Sequence, residues 1–233
     1  MRPPVILITC DVQEAEGQPT ETLLRLRLNY TSAIAAVGGL PLILPPAPDM
    51  LESALDLCNG VLLSGSDAGV IVPGLRADHE SRLIARSLAR RLPIFGICHG
   101  MQALGQALGG TVLRDVPALL EPHSSHLPSP VPDRTAHPVQ VTPGNFLHRL
   151  TGADSISVNS LHRHALSSDG HYVVTAIAPD GVTEAIDAER GSFCAGVQWH
   201  PEYQLTDADT RLLEAFLAAA RDHQQKSESE TCP

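Results

Sequence analysis

Four short apolar runs, each followed by a helical pattern, take up the first 110 residues and limit the fold more than any other feature. The runs are Val5–Thr9, Leu40–Leu44, Val61–Leu63 and Ile94–Ile97. Each reads as a short strand, and Val5–Thr9, Val61–Leu63 and Ile94–Ile97 as strands buried on both faces. Between them lie a helix expected from Thr20 or Thr22 to Val37 and stopped by Gly38-Gly39, a short one over Asp49–Leu57, and an Arg-rich one over His79–Arg91. A fourth helical pattern, Met101–Leu108, follows the last run. Strand and helix alternating in this way predict an α/β fold, a doubly wound and mostly parallel sheet with helices on both faces. Sites in such sheets form at the carboxyl ends of the strands.

After Gly109-Gly110 the texture changes. Residues 115–138 read as loop, rich in proline and carrying His123, His126 and His137. These histidines lack the paired spacing of a metal motif, so they read as neutral, solvated loop residues and no metal site is expected. Strands then crowd together at Val139–Thr142, Ser155–Asn159, Tyr172–Ala178, Thr183–Asp187 and Phe193–Gln198. Short turns such as Pro179-Asp180-Gly181 predict an appended antiparallel portion. A last helix is expected over Asp207–Ala220, closing a single domain of residues 1–223, and the polar tail Gln224–Pro233 is expected to be disordered.

A net charge of −10 without a Lys/Arg cluster excludes an electrostatic nucleic-acid binder. Cys10, Cys58, Cys98, Cys194 and Cys232 are an odd number without framework spacing, which predicts a reducing, cytoplasmic setting. No run reaches the ~18 apolar residues of a membrane span. Leu7-Ile8-Thr9-Cys10 superficially resembles a lipoprotein cleavage box, but the apolar run before Cys10 is too short for a leader core.

The chemistry concentrates at Pro93–Gln102, P-I-F-G-I-C-H-G-M-Q. A buried strand, a Gly-x-Cys-x-Gly turn and a helix form the context of a nucleophile elbow, with Cys98 as the nucleophile. Glycines at 96 and 100 permit close packing around the bend, and the helix N-terminus favours a thiolate and an oxyanion. Cys98 needs a base, and that base needs an orienting group. His200 in V-Q-W-H-P-E has the strongest context of eleven histidines, with Glu202 placed to set its tautomer. Asn159-Ser160-Leu161-His162 reads either as a polar substrate-holding stretch or as an ordinary turn.

The chain resembles the class I glutamine amidotransferase family, and especially its free-standing branch of γ-glutamyl-γ-aminobutyrate and γ-glutamyl-polyamine hydrolases. The similar stretches are Gly38–Pro41, Leu63–Ser66, Pro93–Gln102, Gly109–Thr111, Val158–His162, Asp180–Ala185 and Gly196–Glu202, in the family's order. The resemblance implies a flavodoxin-like fold and cysteine-dependent hydrolysis of a γ-glutamyl amide through a thioester, without a cofactor. It makes Cys98 the nucleophile, His200 the base and acid, and Glu202 the orienter. The oxyanion hole is then the N–H of His99 with that of Gly65 or Ser66, and Gln102, Asn159, Ser160 and His162 hold or shape the glutamyl end. Three departures bear on the amine released: Ser66 in place of a second glycine, a short Ala68–Asp78 loop, and Arg163-His164 in place of the usual pair. The resemblance also leaves two other readings, a glutaminase subunit that feeds ammonia to a separate synthetase and a noncatalytic binding module on the same scaffold. A homodimer is compatible with all of these.

Overall fold

The computed structural model describes residues 2–15, 18–66, 74–114, 126–127, 129–188 and 191–231. Most of the expected Ala68–Asp78 loop, together with His123 and Cys232, lies outside them. The strands are β1 (Val5–Thr9), β2 (Asp11–Ala15), β3 (Gln18–Arg25), β4 (Leu40–Leu44), β5 (Gly60–Leu63), β6 (Ile94–Ile97), β7 (Val112–Leu113), β8 (His137–Val141), β9 (Ser155–Val158), β10 (Ala165–Leu166), β11 (Val173–Ile177), β12 (Thr183–Asp187) and β13 (Cys194–Val197). The helices are α1 (Leu28–Ala36), α2 (Leu51–Leu57), α3 (Leu75–Ala89), α4 (His99–Ala107), α5 (Phe146–Thr151) and α6 (Asp207–Thr231).

Along the main sheet the order is β4-β1-β5-β6-β13-β12-β11-β8-β9. The first five strands are mutually parallel, and the rest of the path is antiparallel. In the parallel part the order is the flavodoxin-like 2-1-3-4-5 arrangement. Alternation within β1 builds the two layers. Ile6 and Ile8 face a core shared with Tyr30, Ala33 and Ile34 of α1 and with Leu213, Phe216 and Leu217 of α6. Leu7 faces the opposite core, with Leu55 of α2, Leu83 and Ile84 of α3, and Leu104 of α4. No helix among the described residues is long and apolar enough to cross a membrane.

Several elements differ from the sequence reading. Residues expected as a loop and the start of a helix form a hairpin instead, with Asp11–Glu14 paired to Thr22–Arg25. The ladder claims these residues, leaving Leu23 exposed, and α1 begins only where Tyr30, Ala33 and Ile34 can bury against β1. The Arg-rich helix starts four residues early, at Leu75. The last helix does not end near Ala220 but continues to Thr231, so the expected disorder from Gln224 is not met there. Gln224 is buried, Arg221 donates to the Val37 carbonyl, and no proline or glycine interrupts the stretch.

Candidate active site

Three strand ends meet at one cleft. In the β6–β13 ladder Ile97 lies level with Val197, and the Cys98 N–H donates to the Val197 carbonyl at 2.8 Å. Cys98 and the 198–200 segment therefore leave the sheet side by side. β5 ends one strand over, placing Gly65 and Ser66 beside them. The cleft encloses about 790 Å³, and its lining includes Tyr30, Gly65, Ser66, Cys98, His99, Gln102, Leu161, His162 and His200.

The bend at Cys98 is strained. Cys98 has φ 54° and ψ −108°, a left-handed conformation that a side-chain-bearing residue seldom holds. Its neighbours explain why the bend forms. A Cβ at Gly100 would lie 2.0 Å from the Leu63 carbonyl oxygen, and one at Gly96 would lie 2.6 Å from the Gly100 carbonyl oxygen. Only glycine lets α4 approach β5 and β6 this closely, and that approach fixes the turn between them. The Cys98 Sγ receives the Gln198 side-chain amide at 3.5 Å and lies 3.8 Å from the Leu161 carbonyl.

His200 Nδ1 and Glu202 Oε1 are 2.8 Å apart, both side chains buried. The carboxylate requires the proton on Nδ1, so Nε2 is the nitrogen left to serve the thiol, and Nε2 has no other hydrogen bond. Burial opposes a charge on this ring, but Glu202 and then Cys98 outweigh it and hold the imidazole well above its ordinary range. Of the other buried thiols, burial pushes Cys10 up to about 11 and Cys58 up to about 12.

The structure brings Cys98, His99, Gly65, Ser66, Gln102, His162, His200 and Glu202 to this cleft or its wall. It does not bring the Asn159 and Ser160 side chains into the lining, contrary to the expectation that they meet substrate. Asn159 clamps His200 from both sides: its Oδ1 accepts from the His200 N–H at 2.8 Å, and its Nδ2 donates to the His200 carbonyl at 3.0 Å and to Pro132 at 2.8 Å. The Ser160 hydroxyl donates to the His126 carbonyl. The His162 ring is turned to Glu184, at 3.4 Å, and is 1% exposed. His126 and His137, expected in solvent, are buried with it.

Two groups were missed in the sequence. Tyr30 is one: its hydroxyl accepts the Gly65 N–H at 2.9 Å, so that donor is already engaged. Burial first, then Glu202 and Cys98, push this phenol well above its usual range. Arg76 is the other, reaching the Ser64 and Gly65 carbonyls at 2.7 and 3.1 Å while pairing with Asp11 and Glu80. Glu80 continues to the His99 ring at 2.8 Å. Burial works against the Glu80 charge, yet Arg76 and then His99 hold the carboxyl down at about 2. Local sequence marks neither role: Tyr30 meets Gly65 35 positions away, and although Arg76 has Glu80 four residues on, its contacts to Asp11, Ser64 and Gly65 are made across other elements.

A family model described as Peptidase C26 matches residues 4–202. The γ-glutamyl-γ-aminobutyrate hydrolases of Escherichia coli O157:H7 and Shigella flexneri are 36% and 35% identical to this chain, each alignment covering 96% of both partners. A crystal structure of a glutamine amidotransferase from Thermotoga maritima superposes with a TM-score of 0.61 at 19% identity, covering 98% of this chain and 86% of that one. This last likeness concerns the fold.

Proposed function

The chain belongs to the peptidase C26 family, and we propose that it hydrolyses a γ-glutamyl amide to glutamate and a free amine. The observation that carries the reading is the strained Cys98 facing a buried His200–Glu202 pair inside a cleft. The raised imidazole favours an imidazolium beside a thiolate. Thiolate attack on the amide carbon forms the C–S bond and moves charge onto the carbonyl oxygen. The His99 N–H at the start of α4 and the Ser66 N–H receive that charge; Ser66 is preferred to Gly65 because Tyr30 occupies the Gly65 donor. Collapse breaks the C–N bond as His200 gives its proton to the leaving nitrogen. The now neutral His200 takes a proton from water, which attacks the thioester carbon, and glutamate leaves as the thiolate is restored.

Gln102 spends its amide nitrogen on the His164 carbonyl and on Gln198, both at 3.0 Å, so its side-chain oxygen is left to meet the glutamyl ammonium. Among the described residues the cleft lining carries three arginines, Arg25, Arg27 and Arg163, and one acid, Asp11, which pairs with Arg76 and Ser66. That balance favours an amine bearing a carboxylate, as in γ-glutamyl-γ-aminobutyrate, over a polyamine. Turnover of a panel of γ-glutamyl amides tests this. The expected ranking puts γ-glutamyl-γ-aminobutyrate above γ-glutamyl-putrescine in kcat/KM, and the reverse ranking overturns the specificity argument. Activity that survives in Cys98→Ala overturns the chemistry.

A further inference from the structure

Behind the wall formed by residues 159–164, four buried side chains from separate segments converge. His126 precedes β8, His137 opens it, His162 follows β9, and Glu184 lies on β12. Their side chains are 2, 6, 1 and 0% exposed. Glu184 Oε1 lies 3.5 Å from His126 Nδ1, 3.7 Å from His137 Nε2 and 3.4 Å from His162 Nε2. None of these nitrogens makes a hydrogen bond, and neither do the two Glu184 side-chain oxygens.

The opposite ring nitrogens settle where the protons sit. His126 Nε2 meets the Asp180 carboxylate at 2.8 Å, His137 Nδ1 meets the Pro138 carbonyl at 3.2 Å, and His162 Nδ1 meets the His164 carbonyl at 3.0 Å. Each of these partners only accepts, so each neutral imidazole places its N–H there and turns a lone pair toward Glu184. Three lone pairs and a carboxylate then face one another in a buried space with no donor among these side chains, an arrangement that is unfavourable unless a cation sits between them.

We propose that His126, His137 and Glu184, with His162 facing the Glu184 carboxylate, form a binding site for a divalent transition-metal ion of the zinc class. Bonds of about 2.0–2.2 Å from a tetrahedral ion require ligand atoms to be about 3.3–3.6 Å apart, which is the range the three N···O separations occupy or closely approach. The facing atoms of His126, His137 and Glu184 all lie within 4.8 Å of one another. Asp180 behind His126 supplies the carboxylate–histidine support that metal-bound imidazoles commonly have. Three protein ligands, His162 against the carboxylate and near-complete burial describe a site separate from the hydrolytic chemistry. Its consequence is mechanical. His162 sits between Leu161, whose carbonyl faces the Cys98 sulfur, and His164, whose carbonyl receives Gln102. Through Glu184, which faces His162 at 3.4 Å, the ion steadies the wall that shapes the cleft. No metal motif is visible in the sequence because the ligands are spread over residues 126 to 184.

The test uses untagged full-length protein, stripped with chelator and titrated with Zn²⁺ and, separately, with Co²⁺. The expected result is one equivalent of ion per chain, intense visible bands of tetrahedral Co²⁺, and a rise in Tm on Zn²⁺ addition. Glu184→Gln and His137→Ala should abolish stoichiometric binding, and Asp180→Asn should weaken it about 10–100-fold. Stripped wild-type protein that is folded by circular dichroism yet binds no equivalent of either ion overturns the proposal, and so does binding that persists in both ligand variants. The wild-type titration decides the matter even if a variant fails to fold, and it is read without reference to turnover.

Discussion

Replacing Asn159 with Ala isolates how His200, the proposed base, is held. Asn159 makes three buried hydrogen bonds, two to the His200 backbone and one to the Pro132 carbonyl, and is not itself among the residues described as lining the cleft. Truncation leaves the His200 N–H, the His200 carbonyl and the Pro132 carbonyl without these partners. A single buried orphan costs about 1–3 kcal/mol, and because the three share one side chain and relax together, a total of about 3–4 kcal/mol is expected. The same loss frees the His200 backbone to move, and a displacement near 1 Å in a reacting group costs about 10²-fold in rate. Urea denaturation should show a lower midpoint with an unchanged slope, while steady-state kinetics should show kcat down about 100-fold and KM within a few-fold of wild type. A purely structural Asn159 would lower stability and leave the kcat of the folded fraction intact, and that result would refute the positioning argument. An elevated KM with normal kcat would return Asn159 to the role of a substrate contact.

Other outcomes follow from the same geometry. Because Glu202 helps hold the His200 imidazole above its ordinary range, the alkaline limb of kcat/KM should lie above pH 6.5, and Glu202→Gln should move it downward; an unmoved limb assigns it to another group. The raised folded value also means that His200 contributes stability fully below about pH 6.5, with that contribution lost as pH rises through the folded value. Glu80 has the opposite sign, its contribution being complete above the ordinary 4.5 and lost as pH falls toward about 2; Glu80→Gln should flatten acid destabilisation in that window, as read by Tm against pH. Gly100→Ala should destabilise by about 1–3 kcal/mol or more and lower kcat, since its Cβ would meet the Leu63 carbonyl at 2.0 Å; normal stability and rate would mean that α4 can move off β5 without harm.

The sequence by itself determined the alternating parallel sheet, the antiparallel extension, the Gly-x-Cys-x-Gly elbow and the His200–Glu202 pair. Each is encoded locally: β1 and β5 are continuous apolar runs, the glycines at 96 and 100 flank the bend, and Glu202 is two residues from His200. The hairpin Asp11–Arg25 was not legible, because its pairing competes with a helical pattern and only the ladder decides between them. Nor was the continuation of α6 to Thr231, which depends on partners such as Val37 far away in the chain. At the site, only the tertiary structure assigned Asn159 to the His200 backbone, Tyr30 to the Gly65 donor and Arg76 to the Ser64 and Gly65 carbonyls. It alone gathered His126, His137, His162 and Glu184 around one point. Spacing along the chain records which side chains share a turn or a strand; which lone pairs face one another across a buried space depends on how separate strands are packed.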